Sequence, residues 1–166
     1  MAALAAGCGG ETTRKASSVP AAAAPPAAST AGSAPACRAG DLTPAQTEGP
    51  YYKEGSPQRE RLAAAGAPGR RLTLTGSVRG NDCRPIAGAV LQFWQADAAG
   101  QYDNSGFRLR GHESTDAAGR YRLQTIIPGK YPGRTPHIHV KVQPPGAAEL
   151  TTQLYFPDQP SNSGDA

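Results

Sequence analysis

Histidine is scarce in this chain of 166 residues: there are three, with one tryptophan, one methionine and three cysteines. The cysteines form no CxxC pair, which argues against a zinc ribbon. No apolar run approaches the roughly 20 residues that a membrane-crossing helix needs. A basic stripe is also missing. The net charge is +4, but the arginines are scattered among acids. Arg59, Arg61, Arg70 and Arg71 come nearest to a cluster, and Glu60 interrupts them. A solvated face is expected there, with no nucleic-acid partner. Long amphipathic helices are absent too, and residues 57–66 alone read as a short helix. No internal repeat is present.

What is abundant early in the chain is small residues. Residues 16–36, ASSVPAAAAPPAASTAGSAPA, are almost wholly Ala, Pro, Ser, Thr and Gly. Such a stretch has little apolar surface to bury, so residues 9–36 are expected to form a disordered tether. Ahead of it, Leu4-Ala-Ala-Gly-Cys8 resembles a bacterial lipobox, without the usual basic start and apolar core. Residues 1–8 are therefore expected to be the remnant of a lipoprotein signal. Cys8 is the lipidation candidate, and would tether to a membrane a protein expected to be exported, extracellular or in the cell envelope. That leaves 37–166 as one small domain with one core.

Cys37 opens that domain and Cys83 lies between two predicted strands. In an exported protein a Cys37–Cys83 disulfide would pin the start of the domain to its sheet. Two buried thiols are the alternative.

Within the domain the apolar residues alternate. Leu72, Leu74 and Val78 predict one strand, and Val90–Gln95 a stronger one with Leu91 and Phe93 on one face. Tyr121, Leu123, Thr125 and Ile127 predict a third, residues 137–142 a fourth, and Thr151–Phe156 a last. Turns rich in Gly, Pro and Asp separate them. Short strands without a long helix indicate an all-β, antiparallel β-sandwich.

Two of the three histidines stand together in Tyr-Pro-Gly-Arg-Thr-Pro-His-Ile-His, residues 131–139. On a strand, side chains at i and i+2 share a face, so His137 and His139 point the same way. Ile138, Val140 and Val142 take the other face. Side-by-side imidazoles with a core-like face behind them suit a metal, or a half-exposed strand with surface histidines. Tyr131 lies close enough to fold back on them, and Tyr102 could supply a second phenol. Phenolates beside imidazoles favour a hard, trivalent ion, ferric iron over zinc.

The motifs WQADAAGQY (94–102), TDAAGRY (115–121), TIIPGKYPGRTPHIHVKV (125–142) and TQLYFP (152–157) stand in order, preceded by QTEGPYY (46–52). Together they resemble the intradiol ring-cleavage dioxygenases, most of all the small exported members. The resemblance spans about residues 41–158. It implies a transthyretin-like β-sandwich with one non-haem Fe(III) per chain, held by Tyr102, Tyr131, His137 and His139. It further implies that a catechol is cut by O2 between its two hydroxylated carbons to a cis,cis-muconate, with Tyr131 leaving the metal as substrate binds. Arg134 matches a cation that stabilises charge building on the substrate, and Gln153 an amide that contacts it. Pro50 and Tyr51 match the loop lining the substrate pocket. A homodimer is compatible with this family.

The chain departs from the pattern in places. Lys130 replaces an aromatic, and would favour an anionic catechol or simply face solvent. His112 is expected to be structural, in a loop. The family usually runs on beyond this chain's last residues, so the sandwich is expected to be incomplete at its C-terminal edge. Two other readings stand beside the enzyme: a tethered, non-catalytic β-sandwich binding module, and a His-x-His zinc or copper protein.

Overall fold

The structure is a computed structural model that describes residues 36–165. Cys8 and most of the tether lie outside the described residues. Six strands follow in order: β1 (Arg71–Ser77), β2 (Val90–Trp94), β3 (Arg110–Ser114), β4 (Arg120–Ile126), β5 (His137–Gln143) and β6 (Leu150–Tyr155). A 3-10 turn, Pro160–Gly164, comes last. These strands pair with one another antiparallel throughout. β1 and β4 make a two-stranded sheet, and the other four make a sheet of order β3-β2-β5-β6. The expected all-β sandwich is therefore present.

Alternation decides what each face carries. Leu91 and Phe93 of β2 sit opposite Val142 and Val140 of β5, and Ile138 opposite Leu154 of β6. They turn inward to meet Leu123 of β4, and Leu72, Leu74 and Tyr121 pack against this core. Burying each large apolar side chain contributes about 2 kcal/mol. The opposite face of the larger sheet is polar. One row across it reads Arg110, Trp94, His139, Gln153, one residue from each strand. A row of opposed residues shares a face, and the functional groups are built on this one.

Two expectations are corrected. Residues 57–66 are not helical. Gln58 bridges His112 of β3, and Arg61 bridges Gln124 of β4. The Arg59 and Leu62 N–H groups donate to His112 and Gln124 carbonyls at 2.8 and 2.9 Å. Each sheet leaves an edge with unpaired backbone groups, and this segment satisfies both while burying Leu62 and Ala63. Those gains outweigh the modest helix preference of an Ala-rich run. His112 is likewise not in a loop but in β3, its Nδ1 2.7 Å from the Ser56 carbonyl. Arg-Gly-His-Glu-Ser carries no apolar alternation, so this strand had no periodic signal.

At the outer edge of β6, the Gln46 N–H donates to the Thr151 carbonyl at 2.9 Å and the Thr152 hydroxyl to the Pro44 carbonyl at 2.9 Å. The 44–53 loop thus crosses this edge and lies over the polar face.

Candidate metal centre

His137 and His139 are 2% and 1% exposed, so neither is a surface histidine. The Nδ1–H of His137 donates to the Thr135 carbonyl at 2.7 Å. A carbonyl only accepts, so this bond fixes the tautomer and leaves a lone pair on Nε2. That nitrogen lies 2.9 Å from Nε2 of His139. Two lone pairs at this distance repel unless a proton or a cation stands between them. Burial holds both imidazoles neutral. It lowers the pKa of His137, with Arg134 adding to the effect. It pushes His139 down to about 3, helped by His137, Arg134 and Arg110.

Two phenols close the other side. The Tyr131 ring centroid is 5.7 Å from His137 and 5.6 Å from Tyr102, and Tyr102 is 6.3 Å from His139. The Tyr102 hydroxyl is buried and has no hydrogen-bond partner. Burial, and then the neighbouring Tyr131, raises its pKa far above the ordinary phenol value. A phenol placed there ionises only beside a strong cation. Among the described residues no cluster of three or more His, Cys, Asp and Glu exists. A metal held here would take phenol oxygens with the imidazoles, and that donor set suits ferric iron.

The tyrosine-bearing loops are packed backbone against backbone. Asp97 accepts hydrogen bonds from the N–H groups of Ala99 and Gln101 and from Arg108, shaping the turn before Tyr102. The Gly129 N–H donates to the Asp97 carbonyl at 2.8 Å. A Cβ on Gly100 would come 2.0 Å from the Lys130 carbonyl, and one on Gly129 would come 2.4 Å from the Ala98 carbonyl. Glycine at both positions is what lets Tyr102 and Tyr131 approach.

Arg134 stands beside this cluster. Its Nη1 donates to the Tyr131 hydroxyl at 3.2 Å and its Nη2 to the Gln153 amide oxygen at 2.7 Å. Gln153 is held in turn by the Thr47 carbonyl and the Tyr155 hydroxyl. Arg134 is also paired with an acid, Asp165, but a buried one: the Asp165 side chain is 1% exposed. Tyr51 lies flat on Tyr102, with centroids 4.3 Å apart and planes 12° apart, and edge-on to Tyr131. Lys130 is exposed at the rim of a cleft that it shares with Tyr131 and Arg134.

The predicted site residues Tyr51, Tyr102, Tyr131, Arg134, His137, His139 and Gln153 thus come together, while Pro50 lies beside Tyr51 along a shallow cleft. Cys37 and Cys83 are joined, with Cα atoms 5.9 Å apart. Three further residues join the site. Trp94 stacks on His139 at 4.7 Å and 6°, and its place on the face opposite Leu91 and Phe93 was a usable signal. Arg110 shares its row, which only the register shows. Asp165 gave no signal at all.

A family model described as "Dioxygenase" (Dioxygenase_C) matches residues 47–165. Among curated proteins, catechol 1,2-dioxygenase 2 of Acinetobacter lwoffii is 33% identical over 144 residues, 71% of this chain and 52% of that protein. Among solved structures, one is the dioxygenase domain of a dioxygenase carbohydrate-binding protein fusion from the cellulolytic bacterium Streptomyces sp. SirexAA-E. It is 56% identical with a TM-score of 0.74, covering 76% of this chain and 82% of that one. A 3-chlorocatechol 1,2-dioxygenase from Rhodococcus opacus 1CP is 29% identical with a TM-score of 0.69, covering 74% of this chain and 60% of that one. The chain belongs to the intradiol ring-cleavage dioxygenase family. It spans about half the length of the curated relatives it matches.

Proposed function

We propose that this chain is a non-haem Fe(III) dioxygenase that cleaves catechols between their hydroxylated carbons to cis,cis-muconate-type products. The observation that carries the reading is the convergence of the two Nε2 atoms with two phenols, one of them a buried hydroxyl without a partner. Tyr102, Tyr131, His137 and His139 would hold the iron. When bound, it would supply Lewis-acid activation and a template for both catechol oxygens.

The remaining residues bind and orient. Tyr51 and Pro50 wall the approach to the phenols. Arg134 is a fixed cation aimed at the side where negative charge builds on the ring, and in a desolvated site such a group contributes several kcal/mol. Gln153 holds that guanidinium on one side and Asp165 on the other. The Tyr131 hydroxyl accepts from Arg134, which gives this phenol a protein partner of its own beside any metal it would hold. Export is proposed as well, supported by the Cys37–Cys83 disulfide, a bond that persists in oxidising compartments. A lipid anchor at Cys8 is proposed from the sequence alone.

The test is the visible spectrum of iron-loaded protein before and after anaerobic catechol, with metal analysis and product identification. A tyrosinate charge-transfer band that shifts with catechol, and is lost in Tyr102→Phe and His137→Ala, is expected together with muconate. A colourless protein that takes up no iron would overturn the reading in favour of a binding module. Stoichiometric zinc or copper would favour the sequestration reading.

A further inference from the structure

Three members of the row Arg110–Trp94–His139–Gln153 are already accounted for by the site, and Arg110 is not. Its residue is 2% exposed. Among the described residues it makes no ion pair, although burying a guanidinium without a counter-ion costs several kcal/mol. The nearest acid, Asp103, turns its carboxylate away, to the N–H groups of Ser105, Gly106 and Arg108. A methionine would fill the same space without that cost, so the fork itself must be what the position uses.

The fork joins two loops. Nε and Nη2 donate to the Asp103 carbonyl at 3.1 and 3.0 Å, and Nη1 donates to the Tyr51 carbonyl at 2.5 Å. Asp103 follows Tyr102 directly. Tyr51 is the ring that lies on Tyr102 at 4.3 Å. The guanidinium carbon is 6.0 Å from the Tyr102 ring centre. Behind it, Arg59 donates through Nε to the Arg110 carbonyl at 2.9 Å, tying the strand's first residue to the segment that joins the two sheets.

We infer that Arg110 is a positioning residue, a buried two-carbonyl clamp that fixes the Tyr51–Tyr102 stack and with it the wall of the catechol cleft. The other attachments of the 44–53 loop reach Pro44, Gln46, Thr47, Glu48, Tyr52 and Lys53. At the Tyr51 carbonyl itself, Arg110 is the side-chain partner. Lysine keeps the charge but cannot span both carbonyls, whereas methionine keeps volume and loses the charge.

This inference rests on the proposed activity only for the meaning of the cleft, so it is tested in two ways. Without metal, Arg110→Lys and Arg110→Met are compared with wild type by near-ultraviolet circular dichroism of the tyrosines and by amide exchange at residues 49–53 and 101–105. Loss of the stacked-tyrosine signal and faster exchange in both variants are expected, with Leu91, Phe93 and Leu123 unchanged. With iron, KM for catechol should rise about tenfold in Arg110→Lys, with kcat changed less than about threefold, the pattern of lost binding and intact chemistry. A lysine variant with wild-type dichroism, exchange and KM would overturn the inference. Should neither variant fold, NMR of the wild-type protein decides. Separate, slowly exchanging Nη protons coupled to the Tyr51 and Asp103 carbonyls support the clamp, and averaged Nη signals overturn it. A protein that cleaves no catechol yet loses its tyrosine stack in Arg110→Lys would sink the proposed activity and leave the clamp standing.

Discussion

The carboxylate of Asp165 holds the guanidinium of Arg134 by two bonds, from Nε at 2.5 Å and Nη2 at 3.2 Å. The pairing raises the Arg134 pKa, its largest cause being the hydrogen bond to Asp165. It leaves Nη1 facing Tyr131 and Nη2 shared with Gln153. Asp165→Asn removes the charge and keeps the shape. A fall of about tenfold or more in kcat is expected as Arg134 loses its fixed direction. Stability should drop by about 2 kcal/mol, the usual worth of a charge-assisted bond. Steady-state kinetics and urea unfolding on the same samples check both, and an asparagine variant with unaltered kcat would show that Gln153 alone positions the guanidinium.

The two histidines predict an acid sensitivity of the iron-free domain. Their folded pKa values lie below the ordinary 6.5, about 3 for His139. The unfolded chain therefore binds more protons between those limits, and stability falls as pH drops below 6.5. Between pH 6.5 and about 5, before most carboxylates titrate, the thermal midpoint should decline. His139→Phe should flatten that slope. An equally steep slope in the variant would place the sensitivity elsewhere.

Close backbone approach at Gly100 and Gly129 should be essential to the metal centre. Gly100→Ala and Gly129→Ala each push a methyl group into a carbonyl oxygen that cannot move freely. About 2–3 kcal/mol of destabilisation and weakened iron uptake are expected. Gly146→Ala is the control, because Gly146 has a φ of +68° but no atom within 4 Å of its Cβ position. It should cost about 1 kcal/mol by strain alone and leave iron binding intact. Gly100 shares that positive φ and Gly129 does not, so an effect at Gly100 no larger than that at Gly146 would mean that strain, not crowding, governs that position.

The Cys37–Cys83 disulfide joins residues 46 positions apart in the chain. Chain entropy puts its stabilisation at about 4 kcal/mol. Reduction, or the paired Cys37→Ser and Cys83→Ser change, should lower the urea midpoint accordingly while β5 keeps its two histidines together. A shift under about 1 kcal/mol would show that the segment around Cys37 is already held by other bonds, such as that from the Gly40 N–H to the Asn81 carbonyl.

Much of this molecule was legible in one dimension. Alternation of Leu91 with Phe93, and of Ile138 with Val140, declared strands with one buried face, because a period of two is a local property of extended chain. The spacing of His137 and His139 put two imidazoles on one side of β5 for the same reason. The resemblance carried by ordered motifs supplied Tyr102, Tyr131, Arg134 and Gln153. The strand at Arg110–Ser114 and the extended course of residues 57–62 were not legible. Neither has a periodic apolar pattern, and both exist because neighbouring edges need hydrogen-bond partners.

Sequence alone determined the class of fold and the donor types of the proposed centre, since both follow from side-chain chemistry and short-range periodicity. Register and loop packing decided the rest. Arg110, Trp94, His139 and Gln153 became one row only when four strands aligned. Tyr51 met Tyr102, and Asp165 met Arg134, across separations of 51 and 31 residues. Such contacts depend on where loops end up after the core has formed, a property of the whole chain that no local pattern encodes.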